Sequence, residues 1–387
     1  MSMYIILITI GFLVIAFIPG LASVVGIISH SYTKNRIERL ISSSIICIGI
    51  SITICSKEVV GKVGLDITNY HRAYIDILNN GIIATDIYNF GFENILGYLF
   101  FIISLVFNEL NIYEFIFINI IILTVAFTIF AEFYSTNKNQ TFSPGYASMV
   151  LWAFSSFTMA SQLLRQYYSS IFLIYSILEI GIIARAVFVL LSINTHLSAL
   201  YLIILKYISI SFSKKFIIFF FILGILFFEK LFVNMILNNE ELYFSGLNKL
   251  EYHIVDYELK INQGDFYFLF KLCIPLFLVS FQSMINNDNK IWKNTNLNFY
   301  ILIVLISIMI APLNSLQFRL FLVVYAFLIG YVVLSFITIK PLINMTVFFL
   351  LIEIIYRLLY IESSNGLWTL FPNFSVKPFY YINYIKQ

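Results

Sequence analysis

The chain of 387 residues is 60% hydrophobic and 11% charged, with a formal net charge of +3. A soluble domain carries about 25% charged residues, so a water-soluble protein is excluded. The apolar residues come in unbroken runs rather than in alternation, which excludes a porin-type barrel, and a charge so near balance offers no basic face to nucleic acid.

The apolar runs fall at about 3–28, 40–56, 92–107, 113–134, 145–162, 168–184, 186–205, 215–233, 266–285, 298–313, 318–338 and 342–361. With about 20 residues to each spanning helix, they describe an all-α polytopic membrane protein of about 10–12 transmembrane helices. The first run follows no basic residue and is too long for a signal core, so it reads as a first spanning helix. Two long polar breaks, 57–91 and 234–265, and a polar tail, 362–387, separate or follow the runs. Neither break is large enough for a core of its own, so residues 1–387 read as a single integral membrane domain. Cys47, Cys55 and Cys273 all lie inside apolar runs, without metal spacing or an implied disulfide.

Lys and Arg in short loops stay on the cytoplasmic side. The densest basic break, Lys34 to Arg39, is therefore placed inside, with the N-terminus, the 57–91 loop and the tail outside. Arg185, Lys206, Lys214, Lys215, Lys290, Lys293 and Lys340 belong inside by the same argument. Arg185 and Lys206 flank one run of 20 residues, which a simple crossing cannot satisfy. A re-entrant hairpin over 186–205, turning at Asn194-Thr195-His196, does satisfy them: two halves of about 10 residues each reach about 15 Å, the bilayer midplane. The run 92–107 is similarly short and reads as lying along or dipping into the outer face. Ten helices then cross; the plain alternative is twelve crossings with an imperfect charge rule.

This topology gathers the chemistry-bearing residues on the outer side. Arg165 interrupts apolar sequence beside Gln166, and an arginine costs about 2.5–3.5 kcal/mol at the centre of a membrane helix on insertion scales. Its planar fork suits a phosphate; the alternative is a side chain at a helix end reaching lipid headgroups. Arg319 stands where a helix re-enters from outside, against the positive-inside tendency. Two outward arginines on separate helices suit a diphosphate. Asp66, with Tyr70 one turn on, lies just beyond the second run and is a candidate proton acceptor or arginine partner, although Gly-x-Asp-x-x-Asn is also ordinary turn chemistry. His196 at the proposed break is a candidate base or a hydrogen-bonded packing residue. His253 and Tyr257, in a loop rich in Tyr, Asn and Asp, are candidate sugar contacts. No metal-ligand spacing joins these residues to His30 or His71, and there is no phosphate-cradling glycine loop or nucleophile elbow.

In order, Val63-Gly64-Leu65-Asp66-x3-Tyr70, Phe90-Gly91-Phe92, Leu164-Arg165-Gln166, Thr195-His196-Leu197-Ser198-Ala199-Leu200 and Phe318-Arg319 resemble the EpsG family, polysaccharide-polymerising membrane proteins akin to Wzy-type O-antigen polymerases. The resemblance covers about residues 55–335. Leu65 stands where that family usually has Thr, and Asn89-Phe90 where it has an acidic residue and Pro. The resemblance implies a GT-C-like fold without metal or cofactor, multi-pass in the bacterial plasma (inner) membrane, with its active face periplasmic. It implies polymerisation of undecaprenyl-diphosphate-linked oligosaccharide repeat units into O-antigen or a related surface polysaccharide. Expected partners are that lipid-linked substrate, membrane lipids and a chain-length regulator protein. Arg165 and Arg319 would hold the donor diphosphate, with Gln166, Tyr70, His253 and Tyr257 also binding substrate, and Asp66 or His196 would take the acceptor proton. A flippase is disfavoured by the absence of an internal repeat; an O-antigen ligase or another GT-C glycosyltransferase would share the chemistry.

Overall fold

The computed structural model describes residues 2–56, 66–81, 94–139, 141–178, 181–211, 263–286, 292, 294–309, 320–356 and 375–386. Among them the secondary structure is helical, and the chain is an all-α polytopic membrane protein. Three helices are long and apolar enough to cross a membrane alone: Arg36–Cys55, Ile112–Asn137 and the stretch Leu269–Asn286. The other apolar helices among the described residues are shorter, at 10–17 residues. The run 215–233 and most of the 234–265 loop lie outside the described residues.

The first run departs from expectation. It is not one spanning helix but two, α1 (Met3–Phe17) and α2 (Pro19–His30). Pro19 has no N–H to continue the ladder and keeps its predecessor out of the helical region, so Ile18 sits at φ −139° and ψ 75°. The two helices fold back on each other: Gly11, seven residues before Ile18, faces Val25, seven residues after it. Helix α3 (Arg36–Cys55) runs antiparallel to α2 and parallel to α1, with the Tyr4 hydroxyl donating to Glu38 O at 3.0 Å. The start of α1 therefore lies beside the Lys34–Arg39 break. This corrects the expectation that the chain begins on the opposite side from that break.

Residues 66–81 are the described part of the 57–91 segment. It contains α4 (Asp66–Asn80), whose Ile67, Tyr70, Ala73, Tyr74 and Ile77 form one buried stripe at helical spacing. Burying such side chains contributes about 1.5–3 kcal/mol each, enough to hold a polar-faced helix on its neighbours α5 (Ile95–Val106) and α6 (Ile112–Asn137). At 12 residues, α5 spans only about 18 Å.

Helix α6 runs antiparallel to α3, from Tyr113 beside Cys55 to Glu132 beside Arg39. There the Arg39 guanidinium forms a two-pronged, buried ion pair with Glu132, Nε to Oε2 at 2.8 Å and Nη2 to Oε1 at 2.7 Å. Helix α7 (Pro144–Phe154) starts at this same end, where Gly145 abuts Thr33 and the His30 carbonyl. Helix α8 (Leu164–Ile177) is parallel to α6, with the Tyr168 hydroxyl on Asn119 Oδ1 at 2.8 Å and that of Tyr175 on Ala126 O at 2.7 Å. Helix α9 (Ile182–Thr195) returns antiparallel to α8.

The chain leaves α9 at His196, which is extended, and enters α10 (Ser198–Ser211) two residues later. The helical run thus breaks at His196 and Leu197, while Asn194 and Thr195, expected in the turn, still belong to α9. Each flanking helix has 14 residues rather than about ten.

The described residues form two compact units, Met1–Leu197 with Ala326–Gln387, and Ser198–Tyr325. The first has a basic end. Lys340, which opens α14 (Lys340–Tyr356), lies 4.8 Å above the Tyr146 ring in the first turn of α7, near Thr33 and the Lys34–Arg39 break. Arg185 lies toward this end of α9, beyond the Phe188–Tyr175 stack. A cluster of aromatic rings fills the interior of the unit, with Phe127 touching Trp152, Phe157 and Phe327 at centroid distances of 4.8–5.9 Å.

The second unit contains α10, α11 (Gln263–Asn286), α12 (Thr295–Met309) and the start of α13 (Leu320–Phe336), whose turn Val324–Leu328 is a π-helix. In it Tyr300 donates to Leu272 O at 2.7 Å, and the buried Lys271 ammonium stands 4.6 Å above the Tyr325 ring.

Candidate functional site

Five of the eight residues singled out in the sequence lie at the end of the first unit opposite its basic end. Arg165 occupies the first turn of α8, half-buried, where a cation meets the positive pole of the helix. An anion placed there would gain from both the guanidinium and the positive pole of the helix. The Arg165 Nε–H donates to the Tyr70 hydroxyl at 3.2 Å, and its Cζ lies 5.9 Å from the Tyr70 ring centroid. Tyr70 is itself buried among Phe100 and the apolar face of α4. Its hydroxyl thus meets the arginine from a buried ring.

Asp66 opens α4, so it sits in a helix and not in the turn its neighbours also permit. A carboxylate in a first turn is favoured by the helix dipole. It is one turn before Tyr70 and shares its side of α4. Among the described residues no ion pair joins it to Arg165.

Gln166 follows Arg165 and is 5% exposed. Its Nε2 lies 3.4 Å from His196 Nε2. The amide donates to the imidazole when that ring nitrogen is bare; with the other tautomer, a turned amide would accept through Oε1. Gln166 Oε1 has no hydrogen-bond partner in this packing.

What brings His196 to Gln166 is a clamp between α8 and α9 that the sequence reading missed. The Ser169 hydroxyl donates to Ser192 O at 2.9 Å, and the Ser192 hydroxyl donates to Ser169 O at 2.7 Å. Ser192 O also accepts the His196 N–H at 3.0 Å. Tyr167, bonded to Ser156 O, and Tyr168, bonded to Asn119, anchor the start of α8 to its other neighbours. The only trace of this clamp in the sequence is small hydroxyl residues at helical spacing within apolar runs, a pattern that serves helix contact in membranes generally.

Arg319, His253 and Tyr257 lie outside the described residues, so the structure brings together one arginine of the expected pair. Among the described residues no group of three or more His, Cys, Asp or Glu is placed to hold a metal ion.

The sequence model of the EpsG family matches residues 42–380, from within α3 to the C-terminal segment, and so includes all five of these residues. The chain belongs to the EpsG family. Searches of the curated proteins and of the solved structures find no match. Its place in the EpsG family and its apolar helices make it a membrane protein of the polysaccharide-polymerase type.

Proposed function

We propose that this EpsG-family chain joins undecaprenyl-diphosphate-linked repeat units into O-antigen or a related surface polysaccharide, on the outer face of the plasma membrane. The observation that carries the proposal is Arg165, held by Tyr70 in the first turn of α8, beside the partly buried Gln166–His196 pair and remote from the basic end. In this reaction a hydroxyl of the acceptor unit attacks the anomeric carbon of the donor glycan. The bond from that carbon to the diphosphate oxygen breaks, and the lipid diphosphate leaves with the electron pair. Arg165, with Arg319 as its partner, stabilises the charge that grows on the leaving group. Asp66 or His196 takes the proton from the attacking hydroxyl. The charge is met by arginine rather than by a metal.

The test is electrophoresis of surface glycan from a deletion strain complemented with wild-type or Arg165→Ala chain. The expected result is a full ladder with the wild type and single capped repeat units with the variant. A normal ladder from the variant removes Arg165 from the chemistry. Loss of even the single unit on deletion points to a ligase or a flippase instead.

A further inference from the structure

The last helical turn of a helix leaves carbonyls without partners, and α1 has an acute case. Ile15 O would be served by the N–H of residue 19, but Pro19 has none. The C-terminal segment, residues 375–386, supplies the missing donors. The Tyr381 hydroxyl donates to Ile15 O at 3.0 Å, and Phe379 N–H donates to Ala16 O at 2.9 Å. Phe379 does so from a left-handed backbone, φ 55°, which a non-glycine residue adopts only when its surroundings hold it there. Tyr380 and Tyr381 bury themselves against Ile52 near the end of α3, with Phe117, Tyr384 and Ile385 packed around them.

The segment then reaches Asn111, whose Nδ2 donates to Ile385 O at 2.9 Å. Asn111 has a second task, because its Oδ1 accepts the N–H groups of Tyr113 and Glu114 and so caps α6. The turn just before Asn111 is the seat of α4: His71 Nε2 donates to Leu110 O at 2.8 Å, and the Tyr74 hydroxyl donates to Asn108 O at 2.6 Å. Helix α4 carries Tyr70, and Tyr70 holds Arg165. A continuous series of contacts inside the first unit thus links the C-terminal segment to the arginine.

We infer that residues 375–386 are an intramolecular strap, and that Asn111 is a positioning residue through which the strap holds α4, and hence Tyr70, against Arg165. The inference rests on the polymerase reading only for its effect on polymer.

Asn111→Asp tests it, since an aspartate keeps the acceptor that caps α6 and replaces the amide donor with an oxygen facing Ile385 O. Tyr381→Phe is a milder companion that removes one hydroxyl from the strap. Hydrogen exchange is measured on the full-length chain in detergent or nanodiscs. Both variants are expected to speed exchange several-fold over 66–80 and 107–111 while leaving α3 and the middle of α6 as in the wild type. Unchanged exchange over 66–80 in both variants overturns the strap, whatever the chain catalyses. In the complemented strain, Asn111→Asp is expected to lower polymer yield; a wild-type ladder together with faster exchange overturns the link to Arg165. A strain in which the wild-type chain itself gives no ladder is instead a failure of the polymerase reading, and the exchange result still stands.

Discussion

At the scale of single residues, the first unit handles its few charges in two ways. At the basic end Arg39 and Glu132 are both buried and fully engaged with each other, while Arg36, 3.9 Å from the same carboxylate, is mostly exposed and contributes little. A buried pair stabilises weakly relative to apolar packing, but removing one partner strands the other, at a cost of about 3–5 kcal/mol. Glu132→Ala is therefore expected to lower the thermal midpoint of the purified protein sharply and reduce its amount in membranes. The double change Arg39→Met with Glu132→Leu is expected to recover most of both. A single variant as stable as the wild type would show that the pair is dispensable. At the other end Arg165 is only half-buried, and a tyrosine ring and hydroxyl contact it.

At the scale of elements, helix contacts here are set by the absence of side chains as much as by their presence. In lipid there is little hydrophobic drive between helices, so close approach through small residues supplies the dispersion contact. A methyl at Gly49 of α3 would run into the Pro19 carbonyl and come within 3.0 Å of the Ser23 nitrogen, both backbone atoms of α2. At Gly26 of α2 the approach is less close, with Ile46 Cγ1 at 2.7 Å and the Ser42 carbonyl oxygen at 3.1 Å. Gly49→Ala is expected to cost about 1–3 kcal/mol by overpacking, and Gly26→Ala clearly less, as read by melting of the two purified variants. Equal losses would mean that α2 and α3 yield at both places alike. The element most legible in the sequence was the break at His196, because a polar triplet inside an apolar run is costly wherever it falls in a membrane. The hairpin at Ile18 was less so. Pro19-Gly20 is visible, but membrane helices tolerate both residues, and only the packing of α1 against α3 decides that the chain turns back.

At the scale of the whole molecule, the fold-back of α1 alters the topology. The start of α1 adjoins the Lys34–Arg39 break, and the C-terminal segment adjoins the turn at Ile18, at the opposite end of α3. In a chain lacking the three native cysteines, Ser2→Cys and Lys34→Cys are expected to label from the same, cytoplasmic, side, and Lys377→Cys from the other. Labelling of Ser2→Cys and Lys377→Cys from one common side would restore the single spanning helix. The sequence by itself determined the class of protein, the clustering of Lys34, Arg39, Arg185 and Lys340 at one end, and the membership of Asp66, Tyr70, Arg165, Gln166 and His196 in one set. These follow from transfer free energies and short motifs, which belong to each residue wherever the chain goes. Only the tertiary structure decided that Tyr70 holds Arg165, that Gln166 meets His196, that Arg39 finds Glu132 and that the C-terminal segment completes α1. Those pairings join residues 30 to 366 positions apart, and their geometry depends on which helix faces register with which, a property that no local stretch of sequence contains.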